Sequence, residues 1–230
     1  MKRIFLAGAT GAVGRPLCRL LVANDYYVIG STRSADKASL LRDLDVEPVV
    51  VDVFDEVALR RTVMRARPDM VIHQLTDLPA GLDPALMDEA RARTAHLRDV
   101  GTRNLVDAAR AGGARRFIAQ SIAFAYAPGP LPYSEEMPLA TDALANFENQ
   151  VLEAPFEGFV LRYGKFYGPG TGFDLPPAGG ALHVDDAARA AFLALTQGTP
   201  GVYNVAEDDG TVTSLKAVRE LGWEQGFRLS

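Results

Sequence analysis

The sequence predicts an α/β fold: a doubly wound parallel sheet with a small C-terminal cap. In the first half of the chain, short apolar segments alternate with longer amphipathic ones. The short segments are apolar almost throughout, which is typical of strands covered by helices on both faces of a sheet. A glycine-rich turn follows the first short segment, where the pattern changes from strand to helix.

The first half of the chain supplies most of the predicted sheet. The predicted strands are residues 3–7, 26–30, 47–53, 70–75 and 116–121. The predicted helices are residues 13–23, 36–44, 55–67 and 84–111. Pro68 ends the third helix, and the pair Gly112 and Gly113 ends the fourth. Parallel strands joined in this way require right-handed crossovers.

The regular alternation stops after residue 121. Prolines 128, 130, 132 and 138 predict a long loop, and residues 168–180 are rich in glycine and proline. The remaining predicted elements are helices at 141–153, 185–195 and 214–221 and strands at 158–162 and 202–205. We therefore expect one domain over residues 1–230, with a reduced cap formed by 125–140 and 163–230.

Composition excludes several classes of protein. The net charge of −5 over 230 residues argues against a nucleic-acid partner, because phosphate backbones require basic surfaces. No apolar run reaches the roughly 18 residues of a membrane span. The single cysteine, Cys18, excludes an internal disulfide and suits a reducing compartment, and no cluster has metal-ligand spacing. We expect a cytoplasmic protein with a small-molecule substrate and no metal, and the arginine-bearing helix faces leave a homodimer open.

The strongest motif is a Gly-x-x-Gly-x-x-Gly turn that opens the first helix. A diphosphate must approach backbone N–H groups closely, and a β-carbon would hold it away. The helix N-terminus adds unpaired donors and partial positive charge. This arrangement predicts the dinucleotide-binding turn of a Rossmann fold. The residues predicted to contact the cofactor there are Gly8, Thr10, Gly11, Ala12, Val13 and Gly14.

The end of the second strand favours NADP over NAD. An NAD site usually has an acid there for the ribose hydroxyls, but the residues from Gly30 to Ala35 include no acid, and the first acid after the strand is Asp36. Arg33 can instead bind a 2′-phosphate with its planar guanidinium group. Further hydrogen bonds and charge are predicted from Thr32, Ser34 and Lys37.

Several landmarks, in order along the chain, resemble the extended and atypical short-chain dehydrogenase/reductases, in particular the NAD(P)-dependent epimerase/dehydratase-like proteins. They are GATGAVG at 8–14, VDV at 51–53, VIH at 71–73, GTRNL at 101–105, LRYG at 161–164, YGPG at 167–170, HVDD at 183–186 and VYNV at 202–205. The resemblance covers nearly the whole chain. It is specific for fold and cofactor and less specific for the reaction.

The resemblance implies further cofactor contacts. Asp52 and Val53 would frame the adenine, with the Asp52 carboxylate accepting from its amino group. The turn beginning at His73, Gln74 and Leu75 would lie beside the ribose and phosphates. For His73, a packed strand-end histidine with one backbone hydrogen bond is an equally weighted alternative.

The expected catalytic pair is missing. Family members that transfer hydride usually carry Tyr-x-x-x-Lys on the helix after the fifth strand, where lysine lowers the tyrosine pKa. With Glu148 as the landmark, these two positions fall on Ala140 and Leu144, which cannot transfer protons. Ser121 near the nicotinamide, Tyr133 and Lys165 are the remaining candidates for positioning a substrate oxygen. The family hydroxyl can also fall on Ile122, and a solvated Lys165 is the simpler interpretation of that residue.

Three functions follow from this pattern. The leading hypothesis is an atypical NADP-dependent oxidoreductase that acts on a small carbonyl, alcohol or enone. The alternative is a non-catalytic NADP(H)-binding protein, a redox sensor or partner-binding module, which the missing pair favours. The last is a sugar-nucleotide epimerase, which lacks both the pair and a large enough C-terminal lobe.

Overall fold

A seven-stranded parallel sheet forms the centre of the molecule. The computed structural model describes residues 1–229. The strands of the central sheet are β1 Arg3–Ala7, β2 Tyr27–Thr32, β3 Glu47–Val50, β4 Met70–His73, β5 Arg116–Ile122, β6 Glu157–Tyr163 and, later in the chain, β9 Gly201–Val205. Their order is β3-β2-β1-β4-β5-β6-β9, and every neighbouring pair is parallel. The predicted doubly wound parallel sheet is confirmed.

Helices cover both faces of this sheet. They are α1 Gly14–Ala23, α2 Ala38–Arg42, α3 Glu56–Ala66, α4 Met87–His96, α5 Thr102–Gly112, α6 Asp142–Leu152 and α7 Val184–Leu193. One core lies under α1 and α7, and includes Leu17 and Leu21. The other lies under α3, α5 and α6, and includes Val63 and Phe147. Burial of apolar surface on both sides explains why the strands lack polar alternation.

The long helix predicted over residues 84–111 is divided in the structure. A 3₁₀ turn at Pro84–Leu86 precedes α4, and a π-helical segment at Leu97–Gly101 separates α4 from α5. The Thr102 hydroxyl donates to the Leu97 carbonyl at 3.5 Å. A β-carbon on Gly101 would approach Val53 to 3.1 Å. The π-helical segment therefore lies beside Val53, shortly after β3. Hydrophobic periodicity alone does not reveal such a segment.

Several strands differ from their predicted bounds. Strand β3 ends at Val50 and β4 at His73, short of the predicted ends at 53 and 75. The second strand continues to Thr32, where it pairs with Val50, so Ser31 and Thr32 are strand residues. A small parallel sheet of β7 Lys165–Tyr167 and β8 Ala181–His183 flanks the loop predicted at 168–180. Strands of three residues carry too little periodicity for detection from sequence.

The C-terminal region is divided between the central layers and the edge of the sheet. Strand β9 pairs with β6, and α7 packs against α1. The fully buried Asp186 carboxylate accepts from the backbone N–H groups of Gly226 and Phe227 at 3.1 and 2.7 Å and from Arg228 at 2.9 Å. These bonds fix the C-terminal segment to α7. The division into one domain with a cap stays a prediction.

Within residues 1–229, no helix combines the length and apolar character needed to cross a bilayer. The same residues contain no group of three or more His, Cys, Asp or Glu side chains that could hold a metal ion.

Candidate functional site

The glycine turn between β1 and α1 forms a cradle of closely packed backbone in which Gly11 is exposed. Gly8 has a φ of +88°, and a β-carbon there would lie 2.7 Å from the carbonyl oxygen of Gln74. The Gly11 N–H donates to the Gly8 carbonyl at 3.0 Å. A β-carbon on Gly14 would collide with that same carbonyl. Each glycine therefore serves close backbone packing, and the turn can bring its N–H groups up to a bound anion.

The N-terminus of α1 is left without a side-chain cap. Val13 makes no capping hydrogen bond, and the first turn contains no acid. The orphan N–H groups and the positive end of the helix dipole can therefore bind an anion. The loop at Gly170 covers this end of α1, because a β-carbon on Gly170 would lie 3.7 Å from the Cα of Ala12 and would collide with Arg15. Glycine at 170, with its φ of +84°, allows this approach.

A narrow cleft lies beside the turn at the carboxyl ends of the first strands. Its lining is Ala7, Ser31, Thr32, Arg33, Val51, Val53, Leu59, Leu75, Thr76, Leu97 and Leu105. Four predicted cofactor contacts, Thr32, Arg33, Val53 and Leu75, are therefore in one place. The exposed Asp52 is outside this lining, and its carboxylate accepts from the Phe54 N–H at 2.9 Å. Apolar walls with hydroxyls and a guanidinium group at one end match an adenosine and its ribose in chemistry.

Arg33 is half-exposed at the mouth of the cleft. Its guanidinium group forms an ion pair with Asp77 at 3.2 Å. The Ser34 N–H donates to the Thr32 hydroxyl at 3.2 Å, which fixes the backbone after β2. Lys37 ends a 3₁₀ turn, Ala35–Lys37, on the surface beyond. The chain therefore presents two cations, and no acid before Asp36, at the end of β2.

His73 is packed at the end of β4, and both ring nitrogens have partners within the chain. The Leu75 N–H donates to Nδ1 at 3.2 Å, and Nε2 lies 3.0 Å from the Thr102 hydroxyl. A hydrogen on Nε2 satisfies both contacts. Burial, with the charge of Arg98 as a smaller cause, lowers the pKa of His73 to about 4. This geometry matches the packed alternative, and a direct contact with cofactor stays a prediction.

Gln74 follows His73 and is also buried. Its side-chain N–H donates weakly to the Tyr163 hydroxyl at 3.4 Å. Its side-chain carbonyl oxygen has no hydrogen-bond partner within the described part of the chain. An unpaired buried carbonyl oxygen destabilises the folded state.

Ser121 belongs to a buried ionic network. The Ser121 side chain is fully buried, and its hydroxyl donates to Glu148 Oε1 at 2.6 Å. Arg162 donates to both carboxylate oxygens of Glu148, at 2.9 and 2.6 Å. Burial lowers the pKa of Arg162, but the hydrogen bonds and charge of Glu148 more than offset this, and the pKa is raised. The network joins the carboxyl-terminal parts of β5 and β6 to α6.

The network continues toward the 125–140 loop. Arg162 donates to the Tyr126 hydroxyl at 2.9 Å, and Tyr126 donates to the Asn204 side-chain carbonyl at 2.6 Å. The Tyr133 ring stacks on Tyr126 with ring centroids 5.0 Å apart. A signal for this network exists in the sequence, because Arg162 is a cation in the predicted strand 158–162, which is otherwise apolar.

The three catalytic candidates have different partners in the structure. Lys165 Nζ donates to the Ala178 carbonyl at 2.8 Å, Tyr133 stacks on Tyr126, and Ser121 bonds to Glu148. Hydrogen bonds among the three are absent from the described residues. Their roles stay predictions.

Comparisons with known proteins agree with this geometry. Residues 8–172 match the model of a family described as NAD(P)H-binding. A 3-diazoavenalumate denitrifying reductase from a Streptomyces species is 42% identical over 238 aligned positions, which cover 90% of this chain and 76% of that protein. This chain is therefore a homologue of a reductase.

Solved structures show the same fold at low sequence identity. UDP-glucose 4-epimerase from Thermotoga maritima, solved with UDP-glucose, is 20% identical with a TM-score of 0.77, covering 96% of this chain and 93% of that one. UDP-glucose 4-epimerase from Thermus thermophilus, solved with NAD, is 20% identical with a TM-score of 0.78, covering 98% and 95%. At this identity the likeness concerns the fold.

Proposed function

The chain belongs to the NAD(P)H-binding family, and from that premise we propose that it is an NADPH-dependent reductase whose acceptor is an aromatic diazonium ion. The observation that carries the proposal is the 42% identity, over 90% of this chain, to a reductase named for a diazo substrate and for removing nitrogen. The fold and the glycine turn fit the cofactor. Ala140 and Leu144, which cannot donate a proton, fit an acceptor whose reduction consumes no proton.

Groups of the chain itself support the binding of the cofactor. Gly8, Gly11 and Gly14 leave the space that a diphosphate needs, and the uncapped α1 offers N–H donors and a favourable dipole. We infer that Arg33 binds the 2′-phosphate with paired N–H donors. The bound dihydronicotinamide supplies a hydride. The protein's task is to hold the acceptor against it and keep competing water away.

A diazonium acceptor explains why the usual proton donor is dispensable. Reduction of a carbonyl consumes a hydride and a proton, so an acid must stand near the oxygen. Reductive loss of nitrogen from a diazonium ion consumes a hydride alone. The C–N bond breaks, a C–H bond forms on the same carbon, and the bonding pair leaves with dinitrogen. Charge and atoms balance without a proton, so Ala140 and Leu144 impose no penalty on this reaction.

The test is label transfer from NADPH. Each diastereomer of [4-²H]NADPH is supplied with a set of aryl diazonium salts, and the arene product is analysed by mass spectrometry. We expect deuterium on the arene from only one diastereomer. Gly11→Val, which places a branched side chain in the cradle, is the control for uncatalysed reduction. Label from both diastereomers, at the rate of that control, would refute the proposal.

The oxidoreductase predicted for carbonyls gives a different result in the same assay. An aldehyde, ketone and enone panel would then consume NADPH, and Ser121→Ala, Tyr133→Phe or Lys165→Met would slow it. Under our proposal each of the three variants retains diazonium reduction within about threefold. NADPH binding with no turnover of any acceptor would instead support the non-catalytic alternative.

The choice of NADP over NAD is tested separately. Arg33→Asp should weaken NADPH binding far more than NADH binding, because only NADPH carries the 2′-phosphate. Equal weakening of both would contradict the choice, whatever the acceptor proves to be.

A further inference from the structure

Three charged side chains from three elements converge at the mouth of the narrow cleft beside the glycine turn. Asp77, in the loop after β4, accepts from Arg33 with oxygen–nitrogen distances of 3.2 and 3.5 Å. The same carboxylate lies 3.5 Å from Nε of Arg93 on α4. Arg93 also approaches the exposed Glu89 one turn earlier, at 3.6 Å. Two guanidinium groups therefore share one carboxylate.

The Asp77 carboxylate lies next to this narrow cleft. Arg33 and Thr76, the neighbour of Asp77, both line the cleft. The Asp77 side chain is 20% exposed, and those of Arg33 and Arg93 are 50% and 47% exposed. All three side chains can therefore reorganise without uncovering the core.

The Asp77 backbone is fixed independently of its carboxylate. Its N–H donates to the buried Thr94 hydroxyl at 3.2 Å. Rotation of the side chain toward solvent leaves this bond intact. The carboxylate can thus be displaced while the loop keeps its place.

We propose that the Asp77 carboxylate occupies the position of the NADP(H) 2′-phosphate, and that Arg93 is the second guanidinium ligand of that phosphate. The inference rests on the proposed function, in which Arg33 binds the same group. A phosphate monoester has three terminal oxygens and up to two negative charges, so it can accept from both arginines at once. Asp77 has one negative charge and opposes the phosphate once it is bound. Asp77 therefore competes with the cofactor and weakens its binding.

The experiment uses two adenosine fragments that differ in the critical phosphate. Adenosine 2′,5′-bisphosphate carries the 2′-phosphate, and 5′-AMP lacks it. Both are titrated by calorimetry, at one ionic strength, into the wild type, Asp77→Asn, Arg93→Gln and Arg33→Gln. Arg91→Gln and Asp88→Asn are matched controls. Arg91 and Asp88 form an exposed ion pair on α4, the helix of Arg93, and their substitutions change the charge by the same amounts.

We expect Asp77→Asn to tighten the bisphosphate three- to tenfold and Arg93→Gln to weaken it by a similar factor. Binding of 5′-AMP should change less than twofold in both variants, and the controls should match the wild type. Unchanged or weaker bisphosphate binding in Asp77→Asn would overturn the inference, as would an Arg93→Gln effect equal to that of Arg91→Gln.

Failure of the proposed cofactor choice gives a separate result. If Arg33→Gln weakens both fragments equally, the 2′-phosphate assignment itself is wrong. Arg33→Gln can instead weaken binding of the bisphosphate alone while the Asp77 and Arg93 variants bind it as the wild type does. In that case only the inference about Asp77 and Arg93 fails.

Discussion

The buried His73 predicts a specific loss of stability in mild acid. Its pKa is lowered from an ordinary 6.5 to about 4 in the folded protein. Between these values the unfolded chain binds a proton that the folded chain does not, so stability falls as pH falls. At pH 7 the effect is near zero. At pH 5 the difference in proton binding costs about 2 kcal/mol, and it approaches about 3 kcal/mol near pH 4.

The assay is urea unfolding at pH 7 and pH 5 for the wild type and His73→Asn. Asparagine can accept from the Leu75 N–H as Nδ1 does, and it does not titrate. Other groups, including His183, titrate in both proteins, so their contributions cancel in the comparison. We expect the wild type to lose about 2 kcal/mol more than the variant over this pH range.

An equal pH dependence in the wild type and His73→Asn would show that His73 is not a neutral, packed group. That result would support the alternative in which His73 contacts solvent or the cofactor directly. A larger loss in the variant would contradict the sign of the pKa shift.

Three further predictions concern the turn, the ionic network and the unpaired amide. Gly14→Ala should lower NADPH affinity at least 100-fold by calorimetry, because its β-carbon would collide with the Gly8 carbonyl. Glu148→Gln should cost about 3 kcal/mol in urea unfolding, because Arg162 would be left buried without a charged partner. Gln74→Leu should raise stability by about 1 kcal/mol, because it removes an unpaired buried carbonyl oxygen.

The first two of these have a matched comparison. Gly129→Ala, where a β-carbon meets only ordinary contacts, should bind NADPH as the wild type does. Glu157→Gln breaks a more exposed ion pair with Arg116 and should cost less than Glu148→Gln. Wild-type affinity in Gly14→Ala, equal losses in the two glutamate variants, or lower stability in Gln74→Leu would each count against the corresponding structural argument.

Local sequence determined the fold and the phosphate-binding turn. Strand β1, the glycine turn and α1 are contiguous, so residues 3–23 encode both the approach of the backbone and the donors that bind an anion. Apolar strands alternating with helices were enough to predict a parallel sheet covered on both faces, because each element must bury its own apolar surface. Arg33 was also visible from sequence, because it follows a predicted strand where an acid is expected.

Only the tertiary structure decided which polar groups neutralise one another. Asp77 meets Arg33 across 44 positions of sequence, and Glu148 meets Ser121 across 27. Such partners depend on the order of the strands and the packing of helices against them, which periodicity does not encode. The π-helical segment at Leu97–Gly101 likewise depends on packing against a distant part of the same chain, at Val53. Short-range order is written in residue spacing, whereas electrostatic partnership follows from three-dimensional proximity.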